Sequence, residues 1–188
     1  NLVSNGDADF FIQKLNPNGE LLWVHSIGGT EYDKSWSLEL NSTEDVLVVS
    51  GAFRDTIDFD PSASDSIIIS NGVQDIFVLE LDTAGSFIKA MGIGGPGQDI
   101  CREIIYDDFG NLCLVGQFSD SVDFDPGLGT YKLFSNGAYD HFASKMQPDG
   151  NLLFAIGFGG QGTEIGKHIS VNSAGDIFLA GTYTDTMD

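Results

Sequence analysis

Carboxylates at a fixed spacing are the side chains of this sequence best suited to chemistry. The segment Asp55-Thr-Ile-Asp-Phe-Asp-Pro61 returns 65 positions later as Asp120-Ser-Val-Asp-Phe-Asp-Pro126. Calcium takes about six to eight oxygen ligands in flexible geometry, and three carboxylates with nearby loop carbonyls can supply them. The candidate calcium ligands are therefore Asp55, Asp58, Asp60, Asp120, Asp123 and Asp125.

A structural role for the same carboxylates is the alternative. Aspartate side chains often accept hydrogen bonds from the backbone amides of their own turn. Pro61 and Pro126 would then end the strand that carries the aspartates. The spacing matches neither an EF-hand nor an Asp-x-Asp-x-Asp-Gly loop. Calcium is the one cofactor that the sequence suggests, and both interpretations stay open at this point.

Two further sets of acids recur with the same period. One acid follows four residues after a Gly-Gly pair in each repeat: Asp33, Asp99 and Glu164. These acids can line a cation-attracting channel mouth, but a side chain that fixes the glycine loop is the interpretation we favour. The other set begins strands and is expected to satisfy local amides: Asp9, Asp75 and Asp140.

The histidines, the glycine loops and the tryptophans match no known pattern of a catalytic, metal or phosphate site. His25, His141 and His168 occupy three different repeat positions, so neither a zinc site nor a Ser-His-Asp arrangement is indicated. The Gly-Gly segments lack the Lys-Ser/Thr and the following helix of a phosphate loop. Trp23 and Trp36 occur only in the first repeat, where they can form a sugar-stacking platform, although Trp23 also fits an outer strand. No catalytic residue is predicted.

The two cysteines are expected to be buried free thiols. Cys101 and Cys113 fall on neighbouring antiparallel strands, and the expected register places Cys113 opposite about residue 105. At roughly 3.3 Å per residue the two cysteines are then more than about 10 Å apart along the ladder. That separation is too large for a disulfide, so each thiol acts as a small hydrophobic group.

The net charge of the chain limits the classes of molecule that it can bind. The 188 residues include 28 acidic and 8 basic side chains, for a formal net charge of −20. Such a surface repels phosphate backbones and anionic headgroups, and only Arg54 and Arg102 are arginines. The sequence also contains no apolar run long enough to span a bilayer. We therefore expect no nucleic-acid binding and no membrane insertion, and basic partners or divalent cations are favoured.

The repeats themselves predict the fold. Repeat units cover about 4–69, 70–134 and 135–188, each with four short apolar strands separated by Gly-, Asn- and Asp-containing turns. Four strands per repeat is typical of a β-propeller blade. The first two repeats have surplus residues around Phe-Asp-Pro, which predict a small extra hairpin in each (Thr56 to Phe59 with Ser66 to Ile69, and Ser121 to Phe124 with Tyr131 to Phe134). The fold class is all-β, with residues 1–188 forming one propeller fragment.

Topology predicts where the motifs lie. Successive antiparallel strands alternate in direction, so the loop after the second strand and the loop after the outermost strand emerge at the same end. The Asp-Phe-Asp-Pro segments and the Gly-Gly loops should therefore share one rim. Three blade equivalents do not close a ring of about 4–8 blades, so we expect further repeats in a longer protein, or self-association if the three repeats are the whole chain.

The order of these motifs resembles a known repeat family. An Asp-aromatic strand, an Asp/Pro-x-Gly turn, Gly-Gly-x-x-x-Asp, Asp-x-x-Gly-Asn and an apolar strand ending in Gly-x-Phe/Tyr follow one another in this chain. That order is similar to the bacterial SBBP-type β-propeller repeats, and its strand order resembles NHL-type blades. The resemblance implies a secreted or cell-surface protein of Bacteroidetes-like bacteria. It implies no single activity.

Together these observations predict a non-catalytic extracellular repeat propeller that acts as a scaffold or as an adhesion or binding module. Its expected partners are a protein or glycan at the cell surface, or other domains of the same chain. Repetition supports this hypothesis, because catalytic groups are usually unique to one repeat. The alternative is a carbohydrate-active or other enzyme with its site at the channel mouth, where Asp99 or Glu164 would act with a neighbouring Tyr or His.

Overall fold

The structure, a computed structural model, describes residues 1–187. Asp188, the last residue of the third predicted repeat, lies outside the described residues. Within 1–187 the chain forms sixteen strands and no helix, and so has no helix that could cross a membrane. The strands are β1 (Phe10–Leu15), β2 (Leu21–Ile27), β3 (Lys34–Leu40), β4 (Val46–Phe53), β5 (Thr56–Asp58), β6 (Ile67–Ile69), β7 (Asp75–Asp82), β8 (Phe87–Ile93), β9 (Ile100–Tyr106), β10 (Leu112–Phe118), β11 (Ser121–Asp123), β12 (Lys132–Phe134), β13 (Asp140–Met146), β14 (Leu152–Phe158), β15 (Glu164–Val171) and β16 (Ile177–Tyr183).

Antiparallel pairing assembles these strands into two complete four-stranded sheets. The first full sheet has the order β3-β4-β7-β8, and the second full sheet has the order β9-β10-β13-β14. The N-terminal hairpin (β1-β2) and the C-terminal hairpin (β15-β16) are two-stranded. The predicted extra hairpins are confirmed as β5-β6 and β11-β12, each inserted between the second and third strands of a full sheet.

Apolar residues on both faces of the full sheets hold successive sheets together. The N-terminal hairpin packs Phe10 and Ile12 against the first full sheet. The first and second full sheets share one core that includes Val48, Val78 and Ile104. Cys113, Val115 and Ile169 join the second full sheet to the C-terminal hairpin. Because a strand covered on both faces reads as a nearly continuous apolar run, β4 and β7 have almost no polar face.

One expectation about the core is wrong in the N-terminal hairpin. In the sequence, the even spacing of Phe11, Phe77 and Phe142 from Leu15, Leu81 and Met146 predicts a strand with these residues on its buried face. Phe77 and Phe142 are fully buried, but Phe11 is 58% exposed and Leu15 is 48% exposed. The buried residues of β1 are instead Phe10 and Ile12 on the opposite face. The reason is that only one face of this hairpin is covered by a neighbouring sheet.

The prediction for the cysteines is confirmed. Cys101 and Cys113 are free and fully buried. Cys113 lies opposite Ile105, as the turn spacing predicted, and Cys101 lies opposite Gly116. Burial raises the pKa of the Cys113 thiol to about 11 and further raises that of Cys101. Both thiols are therefore protonated at neutral pH and are inert packing groups.

The turn between β3 and β4 carries a local strain that its counterparts avoid. Gly110 and Gly175 take left-handed φ values of 78° and 88° in the equivalent turns, whereas Glu44 takes 57° in the first repeat. A left-handed conformation costs a residue with a Cβ about 1–2 kcal/mol. We expect Glu44→Gly to raise the free energy of unfolding by about 1 kcal/mol, measured by urea denaturation. A loss of stability would contradict this assignment, and the reverse change at Gly175 should destabilise the protein.

Candidate functional site

The two acidic motifs lie at the same end of the sheets, as the alternating strand directions predicted. The Asp123 amide donates to the Gly94 carbonyl at 3.3 Å, which joins a Gly-Gly loop to an extra hairpin. A Cβ atom on Gly95 would collide with the Ser121 carbonyl oxygen, and one on Gly29 would lie 2.6 Å from the Thr56 carbonyl oxygen. Glycine is therefore required here because two backbones approach closely.

The buried acid after each glycine pair fixes the glycine loop, as we favoured from the sequence. Asp33, Asp99 and Glu164 are all at most 1% exposed. The carboxylate of each accepts a hydrogen bond from the amide of the second glycine four residues earlier, at 2.8 to 2.9 Å. Asp33 also accepts from the Arg54 amide at 2.9 Å, which ties the loop to the end of β4.

A second buried acid packs against the first glycine of the same pair. Asp75 accepts a hydrogen bond from the Asn71 amide at 2.8 Å, and its carboxylate leaves no room for a Cβ atom on Gly94. Asp140 does the same for the Asn136 amide and Gly159. The equivalent Asp9 accepts from the Asn5 amide at 2.9 Å and blocks a side chain at Gly28. These strand-initiating aspartates satisfy local amides, as predicted.

Burial changes the protonation of these acids. Loss of hydration raises the pKa of Asp99 to about 8, although the Gly95 amide partly offsets the effect and the charge of Asp75 adds to it. Burial also raises the pKa of Asp75 to about 6 and shifts that of Asp33 upward. A carboxyl group that remains protonated near neutral pH adds less negative charge to the rim.

The six predicted calcium ligands lie on the extra hairpins or directly before them. Four of the six hold loop backbone through their carboxylates: Asp58, Asp60, Asp123 and Asp125. Asp58 accepts from the amides of Asp60 and Ser66 at 3.1 and 2.8 Å, and Asp60 accepts from the Ser62 amide at 2.8 Å. Asp55 precedes the hairpin in a left-handed conformation with φ of 55°. Aspartate tolerates this conformation better than most residues.

The second copy repeats this geometry. Asp123 accepts from the amides of Asp125 and Tyr131 at 3.2 and 2.8 Å, and Asp125 accepts from the Gly127 amide. Asp120 has a φ of 61°. Nowhere in residues 1–187 do three or more acidic, histidine or cysteine side chains come together to hold a metal. The carboxylates of Asp123 and Asp125 cap the backbone of their loop, and calcium binding stays a prediction.

The phenylalanine of each Asp-Phe-Asp-Pro motif is a structural anchor that the sequence reasoning missed. Phe59 is fully buried, with its ring centre 5.5 Å from that of Phe53 and 5.2 Å from that of Phe77. Phe124 occupies the equivalent place in the second repeat. The aromatic residue anchors each extra hairpin to its full sheet. The sequence did contain a signal for this role, because the phenylalanine occurs in both complete copies of the motif.

The histidines stay apart, as their repeat positions predicted. His25 Nε2 lies 2.8 Å from the Gly85 carbonyl oxygen, and His168 Nδ1 lies 3.7 Å from a carboxylate oxygen of Glu103. The ring of His141 stacks on that of Phe158 at 4.9 Å, and burial lowers its pKa. The three histidines therefore have separate surroundings.

The two tryptophans have different surroundings. Trp23 lies on β2 and its indole N–H donates to the Thr83 carbonyl at 3.2 Å, so it belongs to a packed strand. Trp36 lies on β3, where the Arg102 guanidinium stands 4.9 Å from the ring centre and the Lys34 ammonium 6.0 Å away. A cation over an indole ring is a favourable contact. Sugar stacking on Trp36 stays a prediction.

Comparison with known proteins gives one informative similarity. No family model matches the chain. An uncharacterized WD repeat-containing protein of Acanthamoeba polyphaga mimivirus is 22% identical over 122 residues. The match covers 57% of this chain and only 9% of the viral protein. It agrees with an all-β repeat architecture.

Proposed function

We propose that the protein is a β-propeller module of a secreted or cell-surface protein, with a scaffold, adhesion or binding role and no catalytic activity. In this arrangement each four-stranded sheet is one blade. Three features support it: the strand order within the full sheets, the packing of sheet face against sheet face in series, and the position of β9 beside both β3 and β15. The similarity to a WD repeat-containing protein points the same way.

The main support for a non-catalytic role is the hydrogen bond that each buried acid makes to its glycine loop. At the same position of each repeat, one carboxylate oxygen accepts a hydrogen bond from an amide of the glycine loop. The residues are Asp33, Asp99 and Glu164. A general acid or base must reach the substrate proton, and these carboxylates are enclosed by backbone. Repetition of the same contact three times is expected of a structural element.

The proposed location and partners rest on charge and on the resemblance to SBBP-type repeats. A net charge of −20 favours solubility and basic or neutral partners over polyanions. Strands β3 and β9 bring Lys34, Trp36 and Arg102 close together, a combination suited to a glycan hydroxyl array or a carboxylate. We therefore propose a glycan or protein partner at the bacterial surface.

A labelled sample of the protein on a glycan array tests this function. We expect retention on a subset of glycans, weakened by Trp36→Ala, with every bound glycan recovered intact by mass spectrometry. The matched control is Trp23→Ala, which removes a tryptophan outside the Lys34–Arg102 group. Cleavage of any glycan would contradict the non-catalytic role and favour the enzyme alternative. Failure of every glycan and every immobilised surface protein to bind would remove the binding role.

A chelator experiment decides between the two roles of the Asp-rich hairpins. We expect Asp123→Ala to lower the free energy of unfolding by about 1–2 kcal/mol, because the amides of Asp125 and Tyr131 lose their acceptor. The loss should be the same with and without EDTA. Asp108→Ala, at an exposed turn, is the control and should have little effect. A wild-type melting midpoint that falls on chelation, while that of Asp123→Ala does not, would instead establish calcium ligation.

A further inference from the structure

The first junction, between the N-terminal hairpin and the first full sheet, contains a pocket with aromatic walls. Its volume is about 350 Å³, and the aromatic residues that line it are Trp23, His25 and Phe87. The rest of the lining comes from residues 60–62 of the extra hairpin β5-β6 and from the turn between β7 and β8. The pocket is therefore built by three segments that lie inside the chain.

Trp23 and His25 lie on the covered face of the N-terminal hairpin. They alternate with Ile27 along β2, and Trp23 and Ile27 pack with the core of the first full sheet. Strand β2 holds the repeat position of β8 and β14, each of which is the edge strand of its full sheet. Any earlier strand of this sheet would pair with β1, on the far side from β2. The pocket is thus formed by contacts that are complete in the described residues.

Hydrogen bonds hold the two rings in place before a ligand binds. The Trp23 indole N–H donates to the Thr83 carbonyl at 3.2 Å. His25 Nε2 lies 2.8 Å from the Gly85 carbonyl oxygen, and because a carbonyl only accepts, Nε2 carries the hydrogen of this bond. The two ring centres are 5.2 Å apart, with 31° between the ring planes. A site whose walls are already ordered loses less entropy when a ligand enters.

The pocket combines these rings with a carboxylate. The Ser62 amide donates to Oδ1 of Asp60 at 2.8 Å, and within residues 1–187 no hydrogen bond reaches Oδ2. Among the described residues, no lysine or arginine lines the pocket. The net charge of −20 adds a long-range attraction for cations. Aromatic walls, a carboxylate and a negative field together favour a cationic ligand over an anionic one.

The corresponding place at the second junction, between the two full sheets, has different chemistry. Lys89 and Met91 hold the repeat positions of Trp23 and His25. The Lys89 ammonium lies 3.3 Å from a carboxylate oxygen of Glu80, so the chain itself supplies a cation there. The pair of aromatic rings is therefore particular to the first junction. A group that occurs in one repeat is more characteristic of binding than of the shared fold.

We propose that this pocket binds a small organic cation with a quaternary ammonium group, such as choline. A cation is attracted to the faces of aromatic rings, most strongly to that of tryptophan, and Asp60 supplies the opposite charge. A quaternary nitrogen has no N–H group, so its methyl groups can contact the aromatic walls without losing hydrogen bonds. The three N–H groups of a primary ammonium would need acceptors that aromatic walls do not provide.

Isothermal titration calorimetry with choline chloride tests the proposal. We expect one site per chain, with a dissociation constant on the order of 1 mM. The neutral isostere 3,3-dimethylbutan-1-ol, in which carbon replaces the charged nitrogen, should bind at least about tenfold more weakly. Ethanolamine, a primary ammonium, should also bind more weakly than choline. Sodium chloride keeps the ionic strength constant, and EDTA removes calcium, for which Asp60 is also a candidate ligand.

Variants test the residues of the pocket. Trp23→Ala should weaken choline binding at least about tenfold, and Asp60→Asn should weaken it about five- to tenfold. Asp108→Asn removes the same charge from an exposed turn outside the pocket and should change the affinity less than about twofold. Melting curves show which variants fold. Trp23→Phe keeps an aromatic ring and should lose less affinity than Trp23→Ala, and with Asp60→Asn it decides the outcome if Trp23→Ala does not fold.

Tryptophan fluorescence gives an independent measure of where choline binds. The chain has two tryptophans. Choline should change the emission of Trp36→Phe, in which Trp23 is the remaining tryptophan, and should leave that of Trp23→Phe nearly unchanged. The Arg102 guanidinium and the Lys34 ammonium already stand near Trp36 and repel a further cation.

Three results would overturn the proposal: no saturable binding of choline well above the expected dissociation constant, equal affinities for choline and its neutral isostere, and equal effects of Asp60→Asn and Asp108→Asn. A change in the emission of Trp36 in place of that of Trp23 would also overturn it, because the cation would then bind elsewhere. The glycan array measures retention through Trp36 and uses no quaternary ammonium probe. Failure of this inference is therefore distinguishable from failure of the proposed function.

Discussion

Replacement of Phe124 by alanine is expected to lower the free energy of unfolding by about 3–5 kcal/mol, the usual cost of emptying a fully buried phenylalanine site. The ring is fully buried, with its centre 5.7 Å from that of Phe118 and 4.9 Å from that of Phe142. Because it joins the extra hairpin to the second full sheet, its loss also removes the contact that orders β11-β12. A domain has only about 5–15 kcal/mol of total stability, so the variant should be marginal.

Urea denaturation followed by tryptophan fluorescence measures this effect. Phe134→Ala is the matched control, since Phe134 lies on the same hairpin but is 69% exposed. It should cost less than about 1 kcal/mol. Phe124→Leu keeps most of the buried volume and should fall between the two. If Phe124→Ala and Phe134→Ala lost the same stability, the anchoring role of Phe124 would be wrong.

The second large effect is a fall in stability as the pH rises through neutrality. The pKa of Asp99 is about 8 in the folded protein, against an ordinary value of 3.8. Below about pH 4 the acid is protonated in both states and its contribution is fully present. Between pH 4 and 8 the unfolded chain releases the proton while the folded chain retains it. Stability is therefore lost as the pH rises, with a slope of up to about 1.4 kcal/mol per pH unit from this group.

Asp75 adds to this loss over a narrower window. Its pKa of about 6 in the folded state extends the same dependence from about pH 4 to 6. Asp107 has the opposite sign, since its hydrogen bonds to Asn111 and Lys145 lower its pKa despite burial. Its contribution is present above pH 4 and is lost in acid. Together these groups predict maximal stability in mildly acidic solution.

Urea titrations between pH 5 and 8 test the role of Asp99. The wild type should lose about 2–4 kcal/mol over this range after allowance for screening, and Asp99→Asn should lose much less because asparagine does not titrate. Asp108→Asn, at an exposed turn, should keep the wild-type slope. High salt in every sample screens the repulsion within a chain of charge −20. Parallel pH profiles for wild type and Asp99→Asn would show that Asp99 does not carry the dependence.

Local patterns were sufficient to predict much of the fold. The turn residues and the alternating apolar residues located the strands, and the spacing between them placed Cys113 opposite Ile105. The surplus residues around Phe59 and Phe124 predicted the extra hairpins. These features depend on interactions between residues close in sequence, whose geometry follows from turn chemistry and strand periodicity.

The candidate site was predicted less completely. The positions of Asp33, Asp99 and Glu164 after a Gly-Gly pair indicated a loop-fixing role, and the structure confirms it. The use of Phe59 and Phe124 as anchors was missed. An aromatic residue between two aspartates shows no periodicity of its own, and its burial depends on rings contributed by two other strands.

By itself, the amino-acid sequence determined a period of about 65 residues, four strands per repeat, an extra hairpin in each of the first two repeats, and the placement of the acidic motifs at one end of the sheets. Only the tertiary structure decided which face of each strand is covered. In Phe10-Phe11-Ile12 both faces are apolar, so alternation cannot say whether Phe10 or Phe11 is buried. The answer depends on whether a neighbouring sheet is present on that side, and a neighbouring sheet consists of residues distant in the chain. The exposed ring of Phe11 has the same physical cause.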